Sequence, residues 1–256
     1  MFPFRLFVRS PAARGFYPLG SRTILTAGLL ALLAGWTTTA HAQSTSRGRY
    51  FPLDQSTPPG VAGQWSAIRP GFAMVMQPVR VELVGQGGQV GVYTGPDAPP
   101  ALLPAPAVVA LRVGSTYRLK ISDMADFPGV ELYPTVEMLD CLHPPRGREV
   151  EFAIPIVLTA DEIASALDGR LVTKVIYLEQ PDRAAPVRNT TAARNRLAHP
   201  RENVLALADE AGRPMAIIRL GGRLPDAGAP GPGFFGNCAP VLFIEQPGEI
   251  REAVQR

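Results

Sequence analysis

The sequence predicts a mostly-β protein, an antiparallel β-sandwich with one short helix, behind an N-terminal signal peptide. Three observations predict it. Short runs alternate apolar with polar residues at the period of a strand. The connections between them draw on 27 prolines and 25 glycines in a chain of 256 residues, the punctuation of an all-β domain. A basic, then apolar, then small-residue segment stands at the N-terminus.

That segment comes first in the chain. Residues 1–42 hold Arg5, Arg9, Arg14 and Arg22 and no acidic residue. The apolar run 23–36 (TILTAGLLALLAGW) follows, and Ala40-His41-Ala42 precedes Gln43. This is the order of a signal peptide cleaved between Ala42 and Gln43. The apolar run is short against the roughly 20 residues of a membrane span. The rival reading is an uncleaved anchor formed by residues 23–36. Either way the chain is addressed out of the cytoplasm, to the periplasm or the cell surface. No cysteine near the run suggests lipidation, and no arginine pair precedes it as in a twin-arginine signal.

Cleavage would remove four of the 25 basic residues and leave 21 against 22 acidic ones. The isoelectric point near 9.1 therefore mostly describes the leader. The remainder has two lysines, Lys120 and Lys174, so nucleic acid is not an expected partner.

Residues 43–70 read as an extended leader rich in Ser, Gly, Pro and Gln, and 71–246 as the β domain. Val79-Arg80-Val81-Glu82-Leu83 alternates cleanly. Gly85–Gly88 is a turn before a short strand at Val90–Tyr93. Five prolines make 95–106 a loop. Tyr117, Leu119 and Ile121 alternate with Arg118, Lys120 and Ser122, and beyond a loop Val130, Leu132, Val136 and Met138 oppose Glu131, Thr135 and Glu137. The two runs predict a hairpin whose solvent face sets bases against acids. Pro134 places the second strand at an edge or a bulge.

Val150–Leu158 is a further strand with Pro155 inside it. Thr159 with Glu162 three residues later is a capping box for the one short helix, which Gly169 ends. Leu171–Leu178 is a buried strand and 180–203 a flexible loop. Val204–Asp209 and Pro214–Leu220 read as a second hairpin. A Gly/Pro-rich loop (226–236) leads to a last strand at Val241–Glu245, and 247–256 is a polar tail.

The block Val113–Pro181 (beginning VGSTYRLKISDMADFPGVELYPTVEMLDCLHPP) and the stretch Ala206–Pro225 (ALADEAGRPMAIIRLGGRLP) resemble an uncharacterised family of exported β-rich proteins from planctomycete-type bacteria. The resemblance implies export and a β-rich envelope protein. It brings no activity, substrate or cofactor.

Few residues carry a chemical reading. Cys141 and Cys238 are the only cysteines, and in an oxidising compartment they can form a disulfide. Cys141, His143 and Cys238 could instead supply three soft ligands to zinc or copper, though a structural zinc site usually draws on two close-spaced ligand pairs. Cys238 in the turn Gly236-Asn237-Cys238 could act as a nucleophile with His143 as its base. No Gly-x-Ser-x-Gly elbow occurs. Glu131 with Glu137, Glu149 with Glu151, and Asp161 with Glu162 pair carboxylates, but each falls where a strand's solvent face or a helix's first turn puts it, not across a sugar cleft. Met74 and Met76 read as core fillers rather than copper ligands. Asn189-Thr190-Thr191 matches a glycosylation acceptor pattern and is incidental in a bacterial chain.

The expectation is a non-catalytic exported binding or structural protein of the cell envelope, without cofactor or metal. Its partner would be another envelope protein or a surface polymer. The alternative is a metal-handling protein or enzyme built on Cys141, His143 and Cys238.

Overall fold

The structure is a computed structural model that describes residues 4–9, 48–54, 56–72, 74–85, 87–95, 98–180, 194–199, 201–226, 234–235 and 239–244. Its strands in chain order are β1 (Phe4–Arg9), β2 (Met76–Leu83), β3 (Gln89–Val92), β4 (Ala101–Pro104), β5 (Ala107–Arg112) and β6 (Thr116–Ser122). They continue with β7 (Thr135–Met138), β8 (Ile154–Leu158), β9 (Val172–Glu179), β10 (Arg194–Ala198), β11 (Gly212–Leu220) and β12 (Val241–Phe243). The helices are α1 (Val61–Ala67), α2 (Ala160–Leu167) and α3 (Val204–Ala211), with a 3-10 turn at Glu149–Phe152.

The protein is mostly β, as the alternating runs predict. The strands form an eight-stranded sheet, in the order β10-β1-β9-β11-β7-β6-β3-β4, and a four-stranded sheet, β12-β5-β2-β8. Pairing is antiparallel except between β1 and β10 and between β2 and β8. The single-helix expectation is corrected to three α-helices among the described residues.

Local chemistry explains most elements. The capping box at α2 is present: Thr159 Oγ1 accepts from the Glu162 N–H at 3.4 Å, and the Thr159 N–H donates to Glu162 Oε2 at 3.0 Å. β6 and β7 pair as the predicted hairpin, with Tyr117 opposite Val136. The edge or bulge expected from Pro134 is corrected: β7 spans only Thr135–Met138 and lies between β11 and β6, in unbroken register with β6, so the proline precedes the strand. Pro155 is tolerated because β8 is an edge strand. Pro214 sits in a central strand, and the β9–β11 register shifts beside it, the bulge a ring without an N–H demands.

Three readings are corrected. Val204–Ala211 is helix, not the first strand of a hairpin: Asn203 caps it, its Oδ1 accepting from the N–H groups of Leu205 and Ala206 at 3.0 and 3.1 Å. Within the proline-rich 95–106, Ala101–Pro104 forms β4 and pairs with β3. Glu137 and Thr135 do not face solvent but are 0% and 6% exposed, because α1 lies over that face of β7: the Gly63 N–H donates to Glu137 Oε1 at 2.7 Å. Two stretches read as irregular also contain regular structure, α1 within 43–70 and β10 within 180–203.

Both sheets contribute to one core. Val79, Val81, Val109 and Ile156 of the smaller sheet share a cluster with Leu119, Val136, Ile176 and Ile218 of the larger. A second cluster lies on the opposite face of β9 and β11, where Val175, Tyr177 and Ile217 meet Val204, Leu205 and Ala208 of α3. Coverage on both faces makes β9 a continuous buried run rather than an alternating one. Among the described residues no helix is long and apolar enough to cross a membrane.

Candidate functional site

Of the Cys141, His143 and Cys238 set, the structure brings two together. Cys141 Sγ lies 3.8 Å from His143 Nε2, because the chain leaves β7 extended and places both side chains within one short stretch. Cys141 is a free thiol, 1% exposed, while His143 is exposed. Cys238 lies outside the described residues, as do Ala42, Gln43, residues 23–36 and Asn189-Thr190-Thr191. Burial pushes the Cys141 thiol above its ordinary value and the nearby Asp140 carboxylate adds to this, against a smaller opposing effect of Arg213 and Arg69. A thiol held protonated in this way is a poor nucleophile and a poor metal ligand. No group of three His, Cys, Asp or Glu side chains able to hold a metal occurs among the described residues. Iodoacetamide at pH 8 is expected to alkylate Cys141 at least about tenfold more slowly in the native chain than in the unfolded one. Mass spectrometry reads this out, and equal rates would contradict the burial argument.

The buried charges are bound up in the fold. Glu137 Oε2 accepts from Arg219 Nη1 at 2.9 Å, with both side chains under 10% exposed. Lys174, 2% exposed, meets Glu162 at 2.8 Å and also donates to the Val157 carbonyl at 2.5 Å. Asp140, 1% exposed, draws three guanidinium groups onto Oδ2: Arg49 and Arg69 at 3.3 Å and Arg213 at 3.8 Å. These pairs tie α1 and its flanks, α2 and β11 to the sheet. Of the sequence's carboxylate pairs, Glu149 and Glu151 sit exposed on the 3-10 turn. Asp161 and Glu162 share the first turn of α2, but only Asp161 is exposed. Met76 lies within β2, and Met74, 83% exposed, does not fill a core.

A different set of residues lines an open groove on the surface. The groove, of about 540 Å³, runs between the segment Gly129–Tyr133, Leu167 of α2, and the stretch Gly222, Leu224 and Pro225 that follows β11. Glu131 projects along it, gripped by Lys120 at 2.6 Å and by the Tyr133 hydroxyl, which donates at 2.8 Å. The two contacts hold the Glu131 carboxyl below its usual range, Lys120 contributing most. Burial and the Glu131 carboxylate push the Tyr133 hydroxyl well up, so Tyr133 remains a donor at any physiological pH.

Behind Tyr133 lies a knot of four aromatic rings, all under 10% exposed: Tyr93, Tyr133, Phe234 and Phe235. Phe234 packs edge-on against Tyr133 at 5.5 Å and against Phe235 at 5.1 Å, and Tyr93 meets Phe235 at 4.1 Å. Two guanidinium groups approach the same ring, Arg118 at 4.4 Å and Arg223 at 5.7 Å from the Phe234 centroid. Arg118 Nη1 donates to the Tyr133 carbonyl at 3.2 Å, while its buried Nε has no partner. Burial draws the Arg118 guanidinium below its ordinary value, and the like charge of Arg223 acts in the same direction. No carboxylate among the described residues pairs with either arginine. Register explains this: Arg118 stands opposite Thr135 rather than an acid, while Lys120 takes Glu131.

Hydrophobic patterning alone does not reveal this site. Its signal was the adjacent pair Phe234-Phe235 inside a Gly/Pro loop, since two large rings there require cover from the rest of the domain. No family model, curated protein or solved structure matches the chain.

Proposed function

We propose that this chain is a non-catalytic exported binding protein of the cell envelope, folded as a β-sandwich, whose surface at Arg118 and Arg223, adjoining the Tyr133 groove, takes an oxyanion-bearing segment of a surface polymer. The core shared by the two sheets supports the sandwich reading. The observation that carries the binding reading is the pair Arg118 and Arg223, two guanidinium groups against one aromatic ring without a carboxylate partner. A carboxylate or phosphate there would accept from both forks and offset their mutual repulsion. The apolar walls at Leu224 and Pro225 suit the flat face of a sugar ring. The strongly buried acids and bases, in contrast, satisfy one another inside the fold. Export rests on the ordered n-region, apolar run and Ala40-His41-Ala42 of the leader, with residues 23–36 as the anchor if cleavage does not occur.

Titration with oligogalacturonate at low salt tests the reading. Binding is expected to weaken with added salt and to fall at least about tenfold, equivalent to about 1.4 kcal/mol, in a protein carrying Arg118→Gln and Arg223→Gln. Arg49→Gln, on the Asp140 cluster, is expected to leave it unchanged. Inorganic polyphosphate in place of the galacturonate distinguishes phosphate from carboxylate as the group recognised. Equal binding by the parent and the double variant would remove the assignment.

A further inference from the structure

We propose that the edge of β9 is an interaction surface uncovered by export, and that β10 of the same chain occupies it in the processed protein, closing a β9–β10 hairpin. The inference rests on the export reading above.

The topology carries it. In the full chain β1 lies between β9 and β10, antiparallel to the first and parallel to the second. β10 therefore already runs antiparallel to β9, the direction a hairpin requires. The two strands are consecutive within the large sheet's chain order, joined through residues 180–193, yet the N-terminal segment separates them. Consecutive strands ordinarily neighbour one another. β10 has no ladder partner other than β1 among the described residues, and β1 falls wholly within the segment that cleavage after Ala42 removes.

Loss of residues 1–42 thus strips two facing edges at once. An open β9 would present a row of unpaired N–H and C=O groups, a template for aggregation. β10 can close that gap by moving sideways one strand spacing, about 4.8 Å, with no reversal of direction. The registers agree with such a move. Phe7 pairs with both Val175 and Arg196, and Val8 with both Lys174 and Leu197. One step further, Arg9 aligns Ala198 with Thr173. Side-chain parity is kept, so Ala198, buried in the cluster with α3, stays on the face that carries Val175 and Tyr177. Leu197, 74% exposed on the outermost strand, gains β9 as a neighbour. Before export, residues 4–9 act as a placeholder that keeps the β9 edge covered.

The test compares the processed chain from the exported fraction with the full-length chain retaining residues 1–42, both carrying Thr173→Cys and Ala198→Cys with the native cysteines removed as Cys141→Ser and Cys238→Ser. With β1 in place the two positions stand two strand spacings apart, about 10 Å, beyond the roughly 7 Å reach of a disulfide. In the hairpin they face each other. Mild oxidation is expected to link them within the processed chain, about 2 Da lighter, and to leave the full-length chain unlinked. Hydrogen exchange on the unsubstituted processed chain provides a readout independent of the variant, with amides 194–198 at least about 100-fold slower than unstructured ones. Unlinked thiols with rapidly exchanging 194–198 amides would overturn the proposal. So would a disulfide between two copies, which would give the edge to a second chain. An exported chain whose mass retains residues 1–42 would overturn the export reading, and this inference with it.

Discussion

Replacing Glu137 by alanine is expected to destabilise the protein by about 3–5 kcal/mol, visible as a lower urea midpoint at an unchanged slope. Glu137 is 0% exposed, and its two oxygens serve different parts of the fold. Oε2 pairs with Arg219 of β11 and Oε1 accepts from the Gly63 N–H of α1. The truncation leaves a guanidinium that is 9% exposed without its counterion, and it orphans a buried N–H. Desolvation of the stranded groups, rather than the lost attraction, dominates the expected loss. A double variant, Glu137→Leu with Arg219→Met, discriminates between the two. It removes the same attraction without stranding a charge, and is expected to be more stable than Glu137→Ala alone. If the double variant were no more stable than Glu137→Ala, the stranded guanidinium would not be the main source of the loss.

Glu162→Ala is expected to have an effect of similar size at pH 7, about 3–5 kcal/mol, together with a pH dependence that Glu137→Ala lacks. Lys174 is almost fully buried, and burial draws its ammonium below the ordinary value of 10.5, against the opposing influence of Glu162. Without Glu162 the folded-state value falls further. The folded chain then gives up the Lys174 proton at a lower pH than the unfolded chain does. Between those two values the unfolded state binds more protons, so stability rises with pH through that window and is lost as pH falls through the folded value. The deficit of Glu162→Ala is therefore expected to shrink as pH rises from 7 toward 10. Denaturant midpoints at several pH values check this, and a deficit that grew with pH would show that Lys174 is not the group responsible. The capping box adds a smaller, pH-insensitive part, roughly 0.5–2 kcal/mol.

These two acids also mark the limit of reading strands and helices from pattern. The spacing of Thr159 and Glu162 was enough to place α2, because a capping box is satisfied locally. It could not show that Glu162 also reaches across to β9, an interaction set by tertiary packing. Alternation at 130–138 located β7 and named the apolar face correctly, but it placed Glu137 in solvent. Period-2 patterning identifies two faces and is blind to a helix lying over the polar one. The strand expectation for Val204–Asp209 fails for a related reason. VLALADEA is a short apolar run whose helix and strand readings are nearly equivalent by periodicity, and the deciding signal was the Asn203 cap just before it. β4 was hidden by the flanking prolines, which fall outside its ladder with β3 except at Pro104.

The groove was the least legible feature. Glu131 and Lys120 were expected to attract across the hairpin, and they do at 2.6 Å. Nothing in the spacing, however, showed that Arg118 would lack an acid opposite it, because register decides that. Nor could it show that Phe234, more than a hundred residues away, would lie beneath both Arg118 and Arg223. The Cys141 and His143 pairing was visible in the sequence and is close in space. Its burial was not visible, and burial sets the thiol's chemistry.

Arginine side-chain Nε–H resonances, followed by NMR while oligogalacturonate is added, test the proposed binding function most directly. The account predicts that the Arg118 and Arg223 signals shift together and saturably, while Arg219, buried on Glu137, stays fixed. Movement confined to Arg49, Arg69 and Arg213 would transfer the site to the Asp140 cluster and contradict the account, as would the absence of any shift.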